Sequence, residues 1–342
     1  MRILFAGSPA IAIPSLKIIS SLELDGKRMV LSGILTNPDS ARGRGGALVP
    51  TDISAAAAEL DILRAEKGLS HIPQLKPSKL NSAVREDITR LKPDLLVSFA
   101  YGKIFGPKFL SLFPLGGINI HPSLLPKFRG ASPIPSVILA GEKETGICIQ
   151  KLALEMDSGD IITNEKFSLS GRETTFSLSE IVSEKAAFLL RELLLNFNTL
   201  FSKAEPQNGN PSYCTEIKKE EGIINWSRTA AVIDAGIRAF NPWPLCFTHA
   251  LTPRGKETLF IIEAKPLDTG GTPNSPGKSG MENPGKVLGV DKTHGILIQT
   301  GDGVLAVSRL QWQAKKVLDW RSFMNGARDF IGSSLGGSLS FP

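Results

Sequence analysis

The sequence contains little cysteine and no long uninterrupted apolar run. Its three cysteines, Cys148, Cys214 and Cys246, stand far apart and form no CxxC pair. That spacing argues against a disulfide framework or a zinc cluster, and we expect small buried apolar side chains instead. Because no apolar stretch approaches the ~18 residues of a membrane helix and the start does not read as a signal peptide, the sequence predicts a cytoplasmic protein that does not associate with membranes.

Nucleotide-binding motifs are also absent. The stretch Gly43-Arg44-Gly45-Gly46 is rich in glycine, but it has neither the G-x-G-x-x-G spacing after a strand nor a Walker Gly-Lys-Ser/Thr. A nicotinamide-dependent dehydrogenase is one alternative, because the chain opens with a strand, a glycine and a helix. The missing dinucleotide fingerprint disfavours it.

Length and charge indicate what the chain can contain and bind. With 342 residues it exceeds the usual single-domain size of roughly 100 to 200 residues, so we expect two domains. Hydrophobic residues make up 42% and charged residues 21%, which is ordinary for a globular protein. The net charge of +6 fits a polyanionic partner, although mild basicity is weak evidence by itself.

Two kinds of region follow one another along the chain. In residues 1–200, short buried strands such as 117–121 alternate with helical patterns, which predicts an α/β domain with a doubly wound, Rossmann-like, mostly parallel sheet. Residues 201–212 are rich in Asn, Pro and Gly and predict a linker. Short apolar runs within 213–335 predict a small β domain, with a mobile loop at 268–284.

The clearest chemical signal lies at the end of a predicted strand, in Asn119-Ile120-His121. Period-two alternation puts Asn119 and His121 on the same side of that strand at its carboxyl end, the edge where open α/β sheets bind ligands. An amide and an imidazole aimed at one point can stabilise an oxyanion, which suits acyl or formyl transfer. For an isolated Asn-x-His, a local structural role is the ordinary interpretation. A turn further along the chain could bring Asp157 beside His121.

With these residues the sequence resembles the folate-dependent formyltransferase family. The pattern Asn-x-His-x-Ser-Leu-Leu-Pro at 119–126, followed by an aspartate in a downstream loop, is in the family's order. The resemblance implies that Asn119, His121 and Asp157 form a catalytic trio, that 10-formyltetrahydrofolate is the formyl donor, and that no metal is needed. It also implies a folate site formed by these residues: Ser123, Leu124, Leu125, Pro126, Phe99, Tyr101 and Gly102.

The second part of the chain extends the resemblance. The motif Ile-Arg-Ala-Phe-Asn-Pro-Trp-Pro at 237–244 is similar to the family's C-terminal domain on the tRNA side, which implies an OB-like β-barrel. The implied acceptor is methionine esterified to initiator tRNA, and we expect the protein to be a monomer. Arg42 and Arg44 lie in the loop that contacts the acceptor stem in the family, and the basic pair Lys315 and Lys316 is a further candidate for phosphate contacts.

Two other interpretations stay open at this point. A formyltransferase for an amino sugar or for glycinamide ribonucleotide could share the Asn, His and Asp trio, but the motif around Phe240 and the second domain disfavour both. A non-catalytic RNA-binding module would need a degenerate first domain, which the intact trio argues against.

Overall fold

The computed structural model describes residues 1–42, 46–252, 255–267 and 283–336, without the side chains of Arg42 and Arg328. The chain divides into two compact units. The first comprises Met1–Pro133, Glu144–Leu169 and Ser177–Thr215, and the second comprises Ile134–Lys143, Ser170–Phe176 and the described residues from Glu216 onward. The domain limits at 200 and 213 stay predictions, and residues 268–282 of the predicted loop lie outside the described residues.

Strands and helices alternate through the first half of the chain, and strands predominate in the second half. The bounds of the described strands and α-helices follow. The strands are β1 (Arg2–Gly7), β2 (Val30–Leu35), β3 (Ser40–Arg42), β4 (Ala47–Val49), β5 (Gln74–Leu75), β6 (Leu95–Phe99), β7 (Gly117–His121), β8 (Arg129–Gly130), β9 (Glu144–Lys151), β10 (Ile161–Ser168), β11 (Tyr213–Cys214), β12 (Cys246–Thr252), β13 (Gly255–Leu267), β14 (Val287–Asp291), β15 (Gly295–Gln299), β16 (Val304–Trp312) and β17 (Leu318–Asp319). The helices are α1 (Ile13–Leu24), α2 (Asp52–Glu66), α3 (Ser82–Leu91), α4 (Pro107–Leu110), α5 (Pro133–Leu139), α6 (Thr175–Leu195), α7 (Phe197–Ser202), α8 (Ala230–Ala239) and α9 (Trp320–Gly326). Among the described helices, none is long and apolar enough to span a bilayer.

The first unit is built on a seven-stranded sheet in the order β10-β9-β7-β6-β1-β2-β5. Strands β5, β2, β1, β6 and β7 run parallel, whereas β9 is antiparallel to β7 and β10 is antiparallel to β9. Every residue of β6 is buried, as expected for a central parallel strand covered on both faces. Strand β10 alternates between exposed and less exposed residues, which fits an edge strand with one solvated face. The predicted mostly parallel, Rossmann-like sheet is confirmed.

The sheet places the carboxyl ends of β6 and β7 side by side and sets β9 against β7. Strands β6 and β7 are parallel neighbours, with Ser98 paired to Asn119, so their carboxyl ends lie side by side. The antiparallel strand β9 then places Gln150 opposite Asn119 and Cys148 opposite His121. Side chains from residues that are distant in sequence therefore meet at the carboxyl end of β7.

The second unit contains an antiparallel sheet in the order β12-β13-β16-β15-β14, with β17 paired to β16. Its two outer strands are linked through the end of the described chain, because Leu335 bridges to Ala250 of β12 and Ser334 bridges to Lys286 just before β14. Within the described residues, both outer strands are thus bridged to the same terminal segment, which partly covers their edges. The predicted OB-like barrel is confirmed as the architecture of this unit.

A buried charge network lies beside the motif at 237–244 in the second unit. Asp234 of α8 is 3% exposed, and it accepts hydrogen bonds from Arg238 Nε at 2.8 Å and from Arg172 Nη1 at 3.1 Å. Phe240 is buried, whereas Trp243 is 58% exposed. Two arginines satisfy the buried carboxylate, so this part of the motif supports the fold of the unit.

Candidate active site

Three predicted site residues converge at the carboxyl end of β7, where this strand pairs with β9. Asn119 Nδ2 donates to Asp157 Oδ1 at 3.3 Å, and His121 Nδ1 lies 3.5 Å from Asp157 Oδ2. Asp157 belongs to the turn after β9 and has a positive φ of 51°, a backbone conformation that is uncommon for residues with a side chain. The structure brings Asn119, His121 and Asp157 together around one carboxylate.

Further donors fix the orientation of the Asp157 carboxylate. The Gly130 backbone N–H donates to Oδ2 at 2.8 Å, and Gln150 Nε2 donates to Oδ1 at 3.0 Å. Each carboxylate oxygen therefore accepts at least one hydrogen bond. Hydrogen bonds to a charged acceptor are stronger than those between neutral groups, so the carboxylate has one preferred position.

His121 is almost completely buried, with 3% of its surface exposed. Its Nε2 lies 2.8 Å from the Phe128 carbonyl oxygen, and because a carbonyl can only accept, Nε2 carries the hydrogen. Nδ1, which faces Asp157, is then the nitrogen that gains or loses a proton. Burial lowers the pKa of His121 below its usual value; the Asp157 carboxylate and the Phe128 carbonyl oppose this effect, and the charge of Arg129 adds to it. At neutral pH the ring is mainly uncharged.

The end of β6 and the segment after it carry three of the predicted folate residues. Phe99 and Tyr101 are 1% and 2% exposed, and the Tyr101 ring stacks on Phe105 in the core with their centroids 5.5 Å apart. The Tyr101 carbonyl oxygen accepts from Asn37 Nδ2 at 3.0 Å, and Gly102 is exposed with a φ of 80°. This segment therefore presents backbone at the sheet edge while the Tyr101 side chain lies in the core.

The other predicted folate residues form the loop after β7. Ser123 is fully buried, and its Oγ donates to the Lys127 carbonyl oxygen at 2.6 Å. The Leu125 backbone N–H donates to Cys148 Sγ at 3.4 Å, Leu124 is half-buried, and Pro126 is buried. These contacts determine the path of the loop next to His121.

The predicted tRNA contacts are placed only in part. Arg44 lies outside the described residues, as does the side chain of Arg42. The backbone of Arg42 belongs to β3, which pairs with β4 in a short antiparallel ladder, so regular structure flanks the glycine-rich stretch. Lys315 and Lys316 are exposed in the turn after β16.

Sequence reasoning missed three polar residues near Asp157, namely Gln150, Gln207 and Arg129. Gln150 is 2% exposed at the end of the apolar strand β9, and a polar side chain at the end of an apolar run is a signal that could have found it. Gln207 lies in the predicted linker, where polar residues are ordinary, so no sequence signal marks it. Arg129 follows the motif at 119–126, and no role was predicted for it.

Family models that match both parts of the chain identify its class. Residues 1–194 match the family model described as formyl transferase, and residues 216–328 match the model described as formyl transferase, C-terminal domain. The chain belongs to the formyl transferase family, and the resemblance predicted from the sequence is confirmed.

Relatives that are similar over nearly the whole length of this chain share one name within the family. The chain is 46% identical over 334 residues to the methionyl-tRNA formyltransferase of Treponema denticola, covering 97% of this chain and 98% of that protein. It is 40% identical over 338 residues to the methionyl-tRNA formyltransferase of Treponema pallidum, covering 98% of this chain and 99% of that protein.

Solved structures share the fold at low identity. HypX from Aquifex aeolicus, solved in complex with tetrahydrofolic acid, has a TM-score of 0.59 at 17% identity and covers 97% of this chain and 48% of that chain. The methionyl-tRNA formyltransferase from Clostridium thermocellum has a TM-score of 0.51 at 18% identity and covers 79% of this chain and 95% of that chain. These likenesses support the architecture described above.

Proposed function

We propose that this chain transfers the formyl group of 10-formyltetrahydrofolate to the α-amino group of methionine on initiator tRNA. The acceptor is supported by the nearly full-length similarity to proteins named methionyl-tRNA formyltransferase. The observation that carries the chemistry is the convergence of Asn119 and His121 on the carboxylate of Asp157 at the carboxyl end of β7. Asn119, His121 and Asp157 are proposed as the catalytic residues.

Asn119 stabilises the negative charge that forms during the reaction. When the amine attacks the formyl carbon, the carbon becomes tetrahedral and its oxygen becomes an oxyanion. The Asn119 amide has two N–H groups, and one of them donates to Asp157. The other donates to the oxyanion, and a donor of this kind typically contributes about 3 to 4 kcal/mol to transition-state stabilisation.

Asp157 and His121 handle the proton of the attacking amine. An α-amino group with a reference pKa of about 7.7 to 8.0 is partly neutral at pH 7, so it attacks with modest help. After attack, its proton passes through a water molecule to Asp157, whose side chain is 13% exposed compared with 4% for His121. The carboxylate relays this proton to His121 Nδ1, 3.5 Å away.

His121 then becomes a donor to the oxyanion and the source of the proton for the leaving group. Once it is protonated, Nδ1 carries a hydrogen that it can share between Asp157 Oδ2, 3.5 Å away, and the oxyanion beside it. Nε2 keeps the ring anchored on Phe128. As the carbon–nitrogen bond to folate breaks, the proton moves to the folate nitrogen, and the formylated amine remains.

The folate carrier binds where β6 and β7 end. The residues proposed for this site are Ser123, Leu124, Leu125, Pro126, Phe99, Tyr101 and Gly102. Because the Tyr101 side chain lies in the core, the 100–102 segment recognises the pterin through its backbone N–H and C=O groups. Holding donor and acceptor in contact lowers the barrier by as much as ~7 to 11 kcal/mol, more than a single side chain supplies.

The tRNA is held by basic side chains that release counterions from its phosphates. Lys315 and Lys316 are exposed and fit this role, and Arg42 and Arg44 are proposed for the acceptor stem on the family resemblance. The protein is proposed to act as a monomer in the cytoplasm, where charged tRNA is found.

Transfer of labelled formyl to charged tRNA tests this proposal. The protein is incubated with labelled 10-formyltetrahydrofolate and initiator methionyl-tRNA, and elongator methionyl-tRNA is the control. We expect label on the initiator alone. If neither tRNA is labelled while folate still binds, the proposed acceptor is wrong, and labelling of an amino sugar in a parallel reaction would support the alternative acceptor class.

A further inference from the structure

A segment that the sequence presents as a linker contributes to the candidate active site. The chain around Gln207 is fixed to the first unit at both ends. On one side, Glu205 and Ile161 exchange backbone hydrogen bonds of 2.8 and 3.0 Å. On the other side, the Arg129 N–H donates to the Ser212 carbonyl oxygen at 2.8 Å, next to the parallel pairing of β11 with β8. Gln207 lies between these two attachments.

The Gln207 amide holds the turn that carries Asp157. Gln207 Nε2 lies 2.7 Å from the backbone carbonyl oxygen of Asp157 and 2.9 Å from that of Gly159. It is also 3.1 Å from Gln150 Oε1, whose own amide donates to Asp157 Oδ1. One side-chain amide thus restrains both the backbone of the Asp157 turn and a neighbour of the Asp157 carboxylate.

Arg129 fixes which way the Gln207 amide points. Arg129 is 9% exposed, and it donates from Nε and Nη2 to Gln207 Oε1 at 3.1 and 2.7 Å. With two donors at its oxygen and three acceptors at its nitrogen, the amide has only one favourable orientation. A charged donor also strengthens the hydrogen bonds further along the chain of contacts.

We propose that Gln207 is a positioning residue for formyl transfer, acting through Arg129 on one side and the Asp157 turn on the other. This inference rests on the proposed function, in which Asp157 relays the proton to His121. A turn with a positive φ at Asp157 needs contacts that hold it. Small displacements of a reacting group lower the reaction rate strongly, since a misplacement of about 1 Å can reduce it on the order of 100-fold.

Two substitutions separate positioning from packing. Gln207→Glu keeps the size and the oxygen that faces Arg129 but replaces the donor nitrogen by an acceptor, which opposes the carbonyls of Asp157 and Gly159. Gln207→Ala removes the amide. Asn208→Asp is the matched control, because it makes the same amide-to-carboxylate change at the exposed neighbouring position.

We expect both Gln207 variants to lower kcat by ~10- to 100-fold and to leave KM for the charged tRNA nearly unchanged. The Asn208→Asp control should unfold at the same temperature as the wild type. In an Asp157→Asn background, Gln207→Ala should cause no further loss, because the two residues act through one interaction. A fully additive loss in the double variant, or a kcat close to wild type in folded Gln207→Glu, would overturn the proposal.

A second measurement does not depend on activity. The chain has four histidines, so NMR of histidine-labelled protein resolves the titration of His121, assigned with a His121→Gln variant. The charged groups that act on His121 are Asp157, which raises its pKa, and Arg129, which lowers it. In Gln207→Ala the Asp157 turn relaxes, so the pKa of His121 should fall; an unchanged titration contradicts the inference. Wild-type protein that transfers no formyl group would refute the proposed function alone.

Discussion

Replacing Asp157 by asparagine tests the centre of the proposed mechanism with almost no change in shape. In the structure Asp157 Oδ2 accepts from the Gly130 N–H at 2.8 Å, and Oδ1 accepts from Gln150 at 3.0 Å and from Asn119 at 3.3 Å. An asparagine side chain has one oxygen and one NH₂ group. Whichever way the new amide turns, its NH₂ group faces a donor that has lost its acceptor.

The size of the expected effect follows from these contacts. A buried donor without a partner costs about 1 to 3 kcal/mol, so Asp157→Asn should lower the free energy of unfolding by an amount in this range. Loss of the proton relay is the larger effect, because general acid–base groups typically contribute at least ~100-fold in rate. A 100-fold loss of kcat corresponds to about 2.7 kcal/mol of activation free energy.

The assay is formyl transfer to initiator methionyl-tRNA under saturating substrate, with folate binding and urea unfolding measured on the same preparations. Asp160→Asn is the control, since Asp160 is in the same turn but is 40% exposed and pairs with Lys151 at 3.2 Å. Exposed ion pairs contribute roughly 0 to 1 kcal/mol, so this variant should stay close to wild type. The expected loss of kcat for Asp157→Asn is about 100-fold. A kcat within about threefold of wild type would show that the proposed proton relay is wrong.

Three further outcomes are expected. Gly159→Ala places a Cβ 1.9 Å from the Lys151 carbonyl oxygen, so it should displace the Asp157 turn and lower both Tm and activity in thermal and turnover measurements. Lys315→Glu combined with Lys316→Glu should raise KM for tRNA at unchanged kcat and weaken its dependence on salt; an unaltered KM excludes both as contacts. Burial lowers the pKa of His121 in the folded protein. The uncharged ring therefore contributes fully to stability above the unfolded pKa of about 6.5, and this contribution is lost as pH falls towards the pKa of the folded state. Urea unfolding of His121→Gln should consequently depend less on pH in that window.

The sequence was sufficient to predict the parts of the site that lie on one strand. Period-two alternation predicted that Asn119 and His121 share a side of β7, and both contact Asp157 in the structure. Buried apolar runs between turns predicted the parallel sheet, because central strands such as β6 have no exposed face. In both cases the signal is local, since a period or a run of side chains is written within a few residues.

Contacts between separate segments could not be predicted in the same way. Gln150 reaches Asp157 because β9 pairs with β7 in one particular antiparallel register, and a shift by one residue would turn Gln150 to the other face. No pattern within β9 specifies that register. The roles of Asn119, His121 and Asp157 themselves came from the family resemblance, and they stay predictions until the variants above are measured.

Gln207 shows most clearly why a composition rich in Asn, Pro and Gly does not establish a free linker. Such residues favour turns and provide little apolar area for a core, so the segment 201–212 reads as a connection between domains. A chain without a core of its own can still be ordered by pairing its backbone with a neighbour, as Glu205 does with Ile161. Once both ends are paired, a single amide between them loses little additional entropy when it binds the Asp157 turn. Polar segments that follow a catalytic domain are therefore places to look for positioning residues, because their backbone can pair with a neighbouring strand and their side chains are hydrogen-bonding groups.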